Sequence, residues 1–206
     1  MAPKYKLHYF NVTALGEPVR YLLAYGKADW EDIRYEAEDW EKVKAKMPFG
    51  QMPVLDVDGK FHAQSVALSR YLAKQYGLAG KDDLENLQID IAVDLFGDFR
   101  TKIGGWYYDA FPESKAAKEG PLFKEQIPFY LNKFEEIVKA NGGYLVNGKL
   151  TWADIYFVAP LNYFKALTGN DFLVGYPGLQ ALVKTVESQP DIAAYIAKRP
   201  VNPENK

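Results

Sequence analysis

The sequence predicts a small α/β domain joined to an all-α domain. Up to Gly77, short β-favouring runs alternate with helical ones in the order strand, helix, strand, short helix, two strands, helix. A strand–helix–strand unit followed by a hairpin and a closing helix forms one such layered domain. The composition then shifts at Leu78–Asp83, which reads as a linker, and beyond it the pattern is helical almost throughout. The boundaries read this way are 1–78 and 83–206.

Tyr5 to Tyr9 reads as the first strand, and Asn11 to Leu15 as a loop. Gly16-Glu17-Pro18 opens a helix whose apolar side carries Val19, Leu22 and Leu23 and which ends at Tyr25-Gly26. Asp32 to Glu36 alternates like a strand, and Asp39 to Lys46 is a short polar helix or loop. Pro53 then opens an edge strand with Val54, Leu55 and Val57. Asp58-Gly59 is a hairpin turn signal because its backbone needs positive φ, and Lys60 to Ala63 is the return strand. Gln64-Ser65 starts the next helix, with Ser65 as its N-cap. Val66, Leu68, Tyr71, Leu72 and Tyr76 give it one buried side, and Gly77 stops it.

In the second region, Leu84, Leu87, Ile91 and Leu95 suit one long helix running through Phe99 towards Trp106. Leu122 to Ala140 suits another, stopped by Asn141-Gly142-Gly143. Thr151-Trp152-Ala153-Asp154 has capping-box spacing, and the helix behind it carries Ile155, Val158, Leu161 and Tyr163. Helices over about Leu179–Ser188 and Ile192–Lys198 close the chain.

Composition narrows the function. A net charge of -2 gives no electrostatic support to a nucleic-acid partner. No apolar run reaches the length of a membrane span. The N-terminus Met-Ala-Pro-Lys-Tyr-Lys runs straight into a strand pattern without a signal-peptide core, which favours a cytoplasmic protein. Cysteine is absent, so disulfides, protein thiolate catalysis and thioredoxin-like disulfide reduction are excluded. Any sulfur chemistry must use a thiol brought by a ligand. His8 and His62 lack paired ligands at metal spacing and read as strand-surface residues, so no metal is expected.

The stretch from Gly50 to Gly77 is the most informative. A strand edge opened by proline, followed by a helix start, suits a small peptide. The edge offers backbone hydrogen bonds, and the helix end offers partial positive charge to a carboxylate. Tyr9, one of 15 tyrosines, stands at the end of the first strand.

Tyr9, Pro-Phe-Gly-Gln-Met-Pro-Val-Leu at 48–55, Gln64-Ser65 and Leu-Thr-Trp-Ala-Asp at 150–154 resemble a cytosolic glutathione transferase over nearly the whole length. Tyr5 to Asn11, Asp39-Trp40 and Met47 to Gly50 look most like the sigma class, its insect and prostaglandin-D-synthase-like branch. The resemblance implies a thioredoxin-like N-terminal domain, a helical-bundle C-terminal domain and a homodimer. It implies a cis bond at Pro53, with Gly50, Gln51 and the Met52 backbone along the glutathione. It places the γ-glutamyl carboxylate at Gln64 and Ser65, and the glycine end at Trp40 and Lys44. Asp98 would reach the neighbouring subunit's glutathione.

Glutathione is then a co-substrate, and no cofactor is expected. A free thiol has a pKa near ~8.5, and lowering it by ~2 units requires about 2.7 kcal/mol of preferential stabilisation of the thiolate. A hydrogen bond to a charged acceptor contributes roughly 1.5–3 kcal/mol. One neutral hydroxyl donor, Tyr9, supplies most of that. The second substrate, a small hydrophobic electrophile, would sit against Phe10, Asn11, Leu15, Trp106, Tyr107 and Tyr163. Leu15 stands where some sigma enzymes carry arginine, Gln51 where many relatives have lysine, and Gly97 interrupts the acidic pair Asp94 and Asp98. Conjugation is the leading reading. Isomerisation of a prostaglandin endoperoxide is the second, and a non-catalytic ligand carrier or lens-type protein is the third.

Overall fold

A computed structural model describes residues 4–200. Met1 to Pro3 of the expected strand entry, and residues 201–206 of the expected helical domain, lie outside the described residues.

Strand β1 (Tyr5–Phe10) points Tyr5, Leu7 and Tyr9 into the core. Strand β2 (Trp30–Tyr35) pairs with it in parallel, Leu7 opposite Asp32. A parallel neighbour needs a crossover, which helix α1 (Glu17–Tyr25) provides. Strand β3 (Val54–Val57) runs antiparallel to β1, with Leu7 opposite Leu55. Strand β4 (Lys60–Ala63) pairs outside it, giving the order β2-β1-β3-β4. The strand behind Pro53 is therefore an inner one and not the expected edge, because the hairpin folds β4 over its free side. Asp58 at φ 51 and Gly59 at φ 86 make that turn, and the Gly59 N–H donates to Asp56. Between β2 and β3 lie helix α2 (Trp40–Val43) and short tight turns.

Helix α3 (Ser65–Gln75) packs against α1. Its N-cap is Gln64, at φ 77 and ψ 101, and not Ser65. Ser65 is the first helical residue, and its hydroxyl is spent on Tyr156 instead of an α3 amide. Leu68 and Leu72 are buried, but Tyr71, expected on the same side, is exposed.

Helix α4 (Asp83–Tyr107) spans the second domain, capped by Asp82, whose carboxylate accepts from the Glu85 N–H. Its core face is Ile89, Ala92, Val93, Phe96, Phe99 and Ile103. The expected stripe faces outward: Leu84, Leu87 and Ile91 are 65%, 54% and 58% exposed. Leu78 is buried, and its carbonyl accepts from the Trp152 N–H, so the expected linker is anchored at its first residue, while Lys81 to Asp83 are exposed.

The helix expected over 122–140 ends at Ala140 as read, but it is a π-turn (Leu122–Gln126) followed by α6 (Ile127–Ala140), and a further helix, α5 (Pro112–Pro121), runs directly into it. Pro121 and Pro128 each lack an N–H for the helical ladder, and the backbone rewinds between them. Pro160 likewise divides the expected helix after Thr151 into α7 (Trp152–Val158) and α8 (Leu161–Thr168). The capping box is formed: the Thr151 N–H donates to Asp154 at 2.7 Å and the Leu145 N–H at 2.8 Å. Burial pushes the Asp154 carboxyl up to about 6, against the pull of these amides. Helices α9 (Pro177–Glu187) and α10 (Pro190–Lys198) complete the bundle.

Candidate active site

A cleft of about 480 Å³ opens where the end of β1, the Met52–Pro53 bend and the start of α3 meet the helical domain. Its walls are Phe10, Leu15, Trp40, Gly50 to Pro53, Gln64 to Val66, Arg100 and Tyr156. The Met52–Pro53 bond is cis. Met52 precedes the β3 ladder, and among the described residues its backbone takes no hydrogen bond. A bound peptide therefore meets an unspent N–H and C=O there. No side chain caps α3, so the helix start at Gln64 to Val66 opens into the same cleft with its amides available to an anion. The ring of Phe10 packs edge-on against Trp40, with centroids 5.4 Å apart. Lys44 lies beside Gly50 at the rim: a Cβ built on Gly50 would stand 3.7 Å from its Cγ.

Tyr9 is 6% exposed and lies behind the cleft wall. The backbone N–H of Leu15 donates to its Oη at 3.2 Å. That bond occupies the acceptor side of the hydroxyl and leaves its O–H to donate. Burial pushes the phenol up to about 12, against the pull of the Leu15 N–H and the Arg20 guanidinium. The phenol is neutral at pH 7, as a donor requires.

The structure gathers only part of the expected electrophile site. Phe10 and Leu15 line the cleft. The Asn11 amide is turned away, donating to Glu36 at 2.9 Å and accepting from Arg34 at 3.1 Å. Trp106 lines a separate groove of about 790 Å³ with Phe123, Phe172 and Tyr176. Tyr107 packs on Trp106 and under the Lys115 ammonium. The Tyr163 hydroxyl bonds to that of Tyr108, and burial raises the Tyr163 phenol. The Tyr108 and Tyr156 phenols also push the Tyr9 phenol up, more weakly than its burial does. Asp98 lies exposed on α4, outside this cleft.

Sequence reasoning missed Val66, Arg100 and Tyr156 as residues of the cleft. Tyr156 carried a usable signal, one helical turn beyond Trp152 in a capped helix. Arg100 carried none, because only the packing of α4 brings that cation to the cleft. His8, expected on the surface, is half-buried, with Nδ1 2.8 Å from the Tyr35 hydroxyl.

A four-stranded mixed sheet with a cis-proline bend, a free helix start beside it and a helical second domain make the thioredoxin-like and helical-bundle architecture that the resemblance implies. Residues 5–74 match the family model of the glutathione S-transferase N-terminal domain and residues 97–199 that of its C-terminal domain. The chain belongs to the glutathione S-transferase family and is an enzyme of that kind. It is 52% identical to a glutathione S-transferase of Anopheles gambiae over 97% of this chain and 98% of that protein. It is 37% identical to the hematopoietic prostaglandin D synthase of Rattus norvegicus over 96% of this chain and 98% of the relative. Prostaglandin synthase D of Nilaparvata lugens has a solved structure that superposes with a TM-score of 0.93 at 46% identity, covering 97% and 100% of the two chains.

Proposed function

We propose that this transferase activates the glutathione thiol as thiolate through Tyr9 and conjugates it to small hydrophobic electrophiles. The observation that carries the reading is the Leu15 N–H on the Tyr9 oxygen, which leaves the phenol proton for the sulfur. In the proposed pose the cysteinyl part pairs with the Met52 backbone, beside Gly50, Gln51 and Pro53. The γ-glutamyl carboxylate meets the α3 start at Gln64 and Ser65, and the glycine carboxylate meets Trp40 and Lys44. The electrophile enters beside Phe10 and Leu15, under Tyr108 and Tyr163.

The enzyme is read as a sigma-class, cytoplasmic homodimer with a role in detoxification. One helical face of α4 supports the dimer. Leu84, Leu87, Ile91, Asp94 and Asp98 share it at helical spacing, and all are exposed. A second subunit burying that stripe would bring Asp98 to the interface, towards the other glutathione. The prostaglandin D synthase relatives favour a second reaction at the same thiolate, isomerisation of a prostaglandin endoperoxide.

The test is retention on immobilised glutathione, followed by turnover of chlorodinitrobenzene and of the endoperoxide. Conjugation with little isomerisation is the expected result. Retention without turnover of either substrate would contradict the mechanism. Sedimentation showing an active monomer would remove the dimer.

A further inference from the structure

Beneath Tyr9 lies a buried ion cluster that the proposed chemistry does not use. Arg20, on α1, is fully buried. Its guanidinium donates to Val12 O at 2.7 Å, Glu17 Oε2 at 3.0 Å, Asp32 Oδ1 at 3.1 Å and Phe10 O at 3.2 Å. Its Cζ lies 5.7 Å from the centroid of the Tyr9 ring. Burying a guanidinium is unfavourable unless its donors are met, and here two carboxylates and two carbonyls meet them. Both carboxylates are themselves shared: Glu17 also accepts from Arg199, just beyond α10, and from the Tyr195 hydroxyl at 3.3 Å, and Asp32 accepts from Arg34 at 2.7 Å.

The two carbonyls give this cluster a bearing on catalysis. Phe10 directly follows Tyr9, and Val12 begins the loop that leads to Leu15. Leu15 supplies the N–H that holds the Tyr9 oxygen. Arg20 therefore ties down both the strand end that carries the phenol and the loop that orients its hydroxyl. On its other side the ring is closed by Gly16, where a Cβ would fall 2.3 Å from Tyr9 Cδ1. A planar fork with several fixed donors serves this purpose, and a lysine ammonium cannot span the same set.

We infer that Arg20 is a positioning residue for the conjugation step: it fixes the Tyr9 phenol and the Leu15 N–H so that the hydroxyl points at the thiol before glutathione arrives. The inference rests on the reading of Tyr9 as the thiolate's donor. A purely structural ion cluster would affect stability alone. A positioning one also sets the acidity of the bound thiol.

The charged and titratable groups around Tyr9 and Arg20 include Glu17 on α1, Asp32 and Arg34 on β2, Tyr108 after α4, Tyr156 on α7, Tyr163 on α8, and Tyr195 and Arg199 at α10. The experiment is a double-mutant cycle on the full chain with Arg20→Met, Tyr9→Phe and both together. The bound thiolate is titrated by ultraviolet absorbance, and kcat and KM are measured for chlorodinitrobenzene conjugation. In Arg20→Met the bound thiol pKa should rise by about one unit, and kcat below that pKa should fall about tenfold. KM for glutathione should change by less than about threefold, because the Met52 and Gln64 contacts stand apart from Arg20. In the Tyr9→Phe background, Arg20→Met should add no further shift.

An equal shift in both backgrounds, or none in the Tyr9 background, overturns the inference while leaving Tyr9 as the donor. A silent Tyr9→Phe overturns both. If Arg20→Met does not fold, Arg20→Lys decides. It keeps the charge but sheds carbonyl bonds, so it should raise the thiol pKa in the same direction. A folded Arg20→Lys with wild-type thiol acidity overturns the inference.

Discussion

The two walls of the cleft are built from different materials. The N-terminal wall offers backbone groups beside the side chains of Phe10, Leu15 and Trp40: the free Met52 amide and carbonyl, the uncapped start of α3, and, behind it, the Leu15 N–H on Tyr9. The helical wall is side chains: Arg100 and Tyr156 at the cleft, with Tyr108 and Tyr163 bonded to each other near Tyr9. Backbone groups are fixed by the fold, so substitutions change them little. Side chains on a helix face change one at a time. In the proposed function the common thiol substrate draws on the backbone groups of the first wall, and the variable electrophile on side chains of both.

Each wall can be altered separately. The largest expected effect is on stability, from the helical wall. Asp154→Ala removes the acceptor for Thr151 and Leu145 at the start of α7, which carries Tyr156. It should cost about 3 kcal/mol and lower Tm by about 6–12 °C in thermal unfolding. Catalysis by the folded fraction should change far less. Next in size is Gly16→Ala. Its Cβ would meet the Tyr9 ring at 2.3 Å. Displacing the phenol by about 1 Å should lower kcat about 100-fold in steady-state assays, with glutathione still retained on a column. The smallest effect belongs to Arg100→Met. It removes a cation from the helical wall and leaves every backbone contact in place. Glutathione KM should move by less than about threefold, while the ranking of anionic against neutral electrophiles changes. A large loss of glutathione affinity in Arg100→Met would instead assign that cation to the peptide.

The backbone wall was the more legible in the sequence. Asp58-Gly59 announces its hairpin, Met52-Pro53 the bend, Gln64-Ser65 the helix start and Thr151 to Asp154 the capping box, because each depends on local chemistry. What the sequence misread depends on neighbours. On α4 two apolar stripes coexist, and periodicity alone favoured Leu84, Leu87 and Ile91 over Ile89, Val93 and Phe96. The packing of α7, α8, α5 and the π-turn against α4 decides which stripe is core. Pro53 was read as opening an edge strand because hairpin pairing on its outer side is a tertiary fact. Ser65 looked like a cap, but its hydroxyl finds Tyr156, which lies 91 residues away in sequence. Asn11, Trp106 and Tyr107 are expected between the domains with the electrophile, and in the structure the Asn11 amide bonds to Glu36 and Arg34 while Trp106 and Tyr107 pack on each other.

The account turns on one hydrogen bond, from the Tyr9 hydroxyl to the glutathione sulfur. Titrating the bound thiol by ultraviolet absorbance in wild type and Tyr9→Phe tests it most directly. The account predicts a wild-type thiol pKa about 2 units below the free value of ~8.5, rising towards that value in Tyr9→Phe with loss of turnover. Because burial holds the Tyr9 phenol at about 12, no second ionisation should interfere across the neutral range. An equally acidic thiol in both proteins would contradict the account and move the activating group into the loop from Asn11 to Leu15.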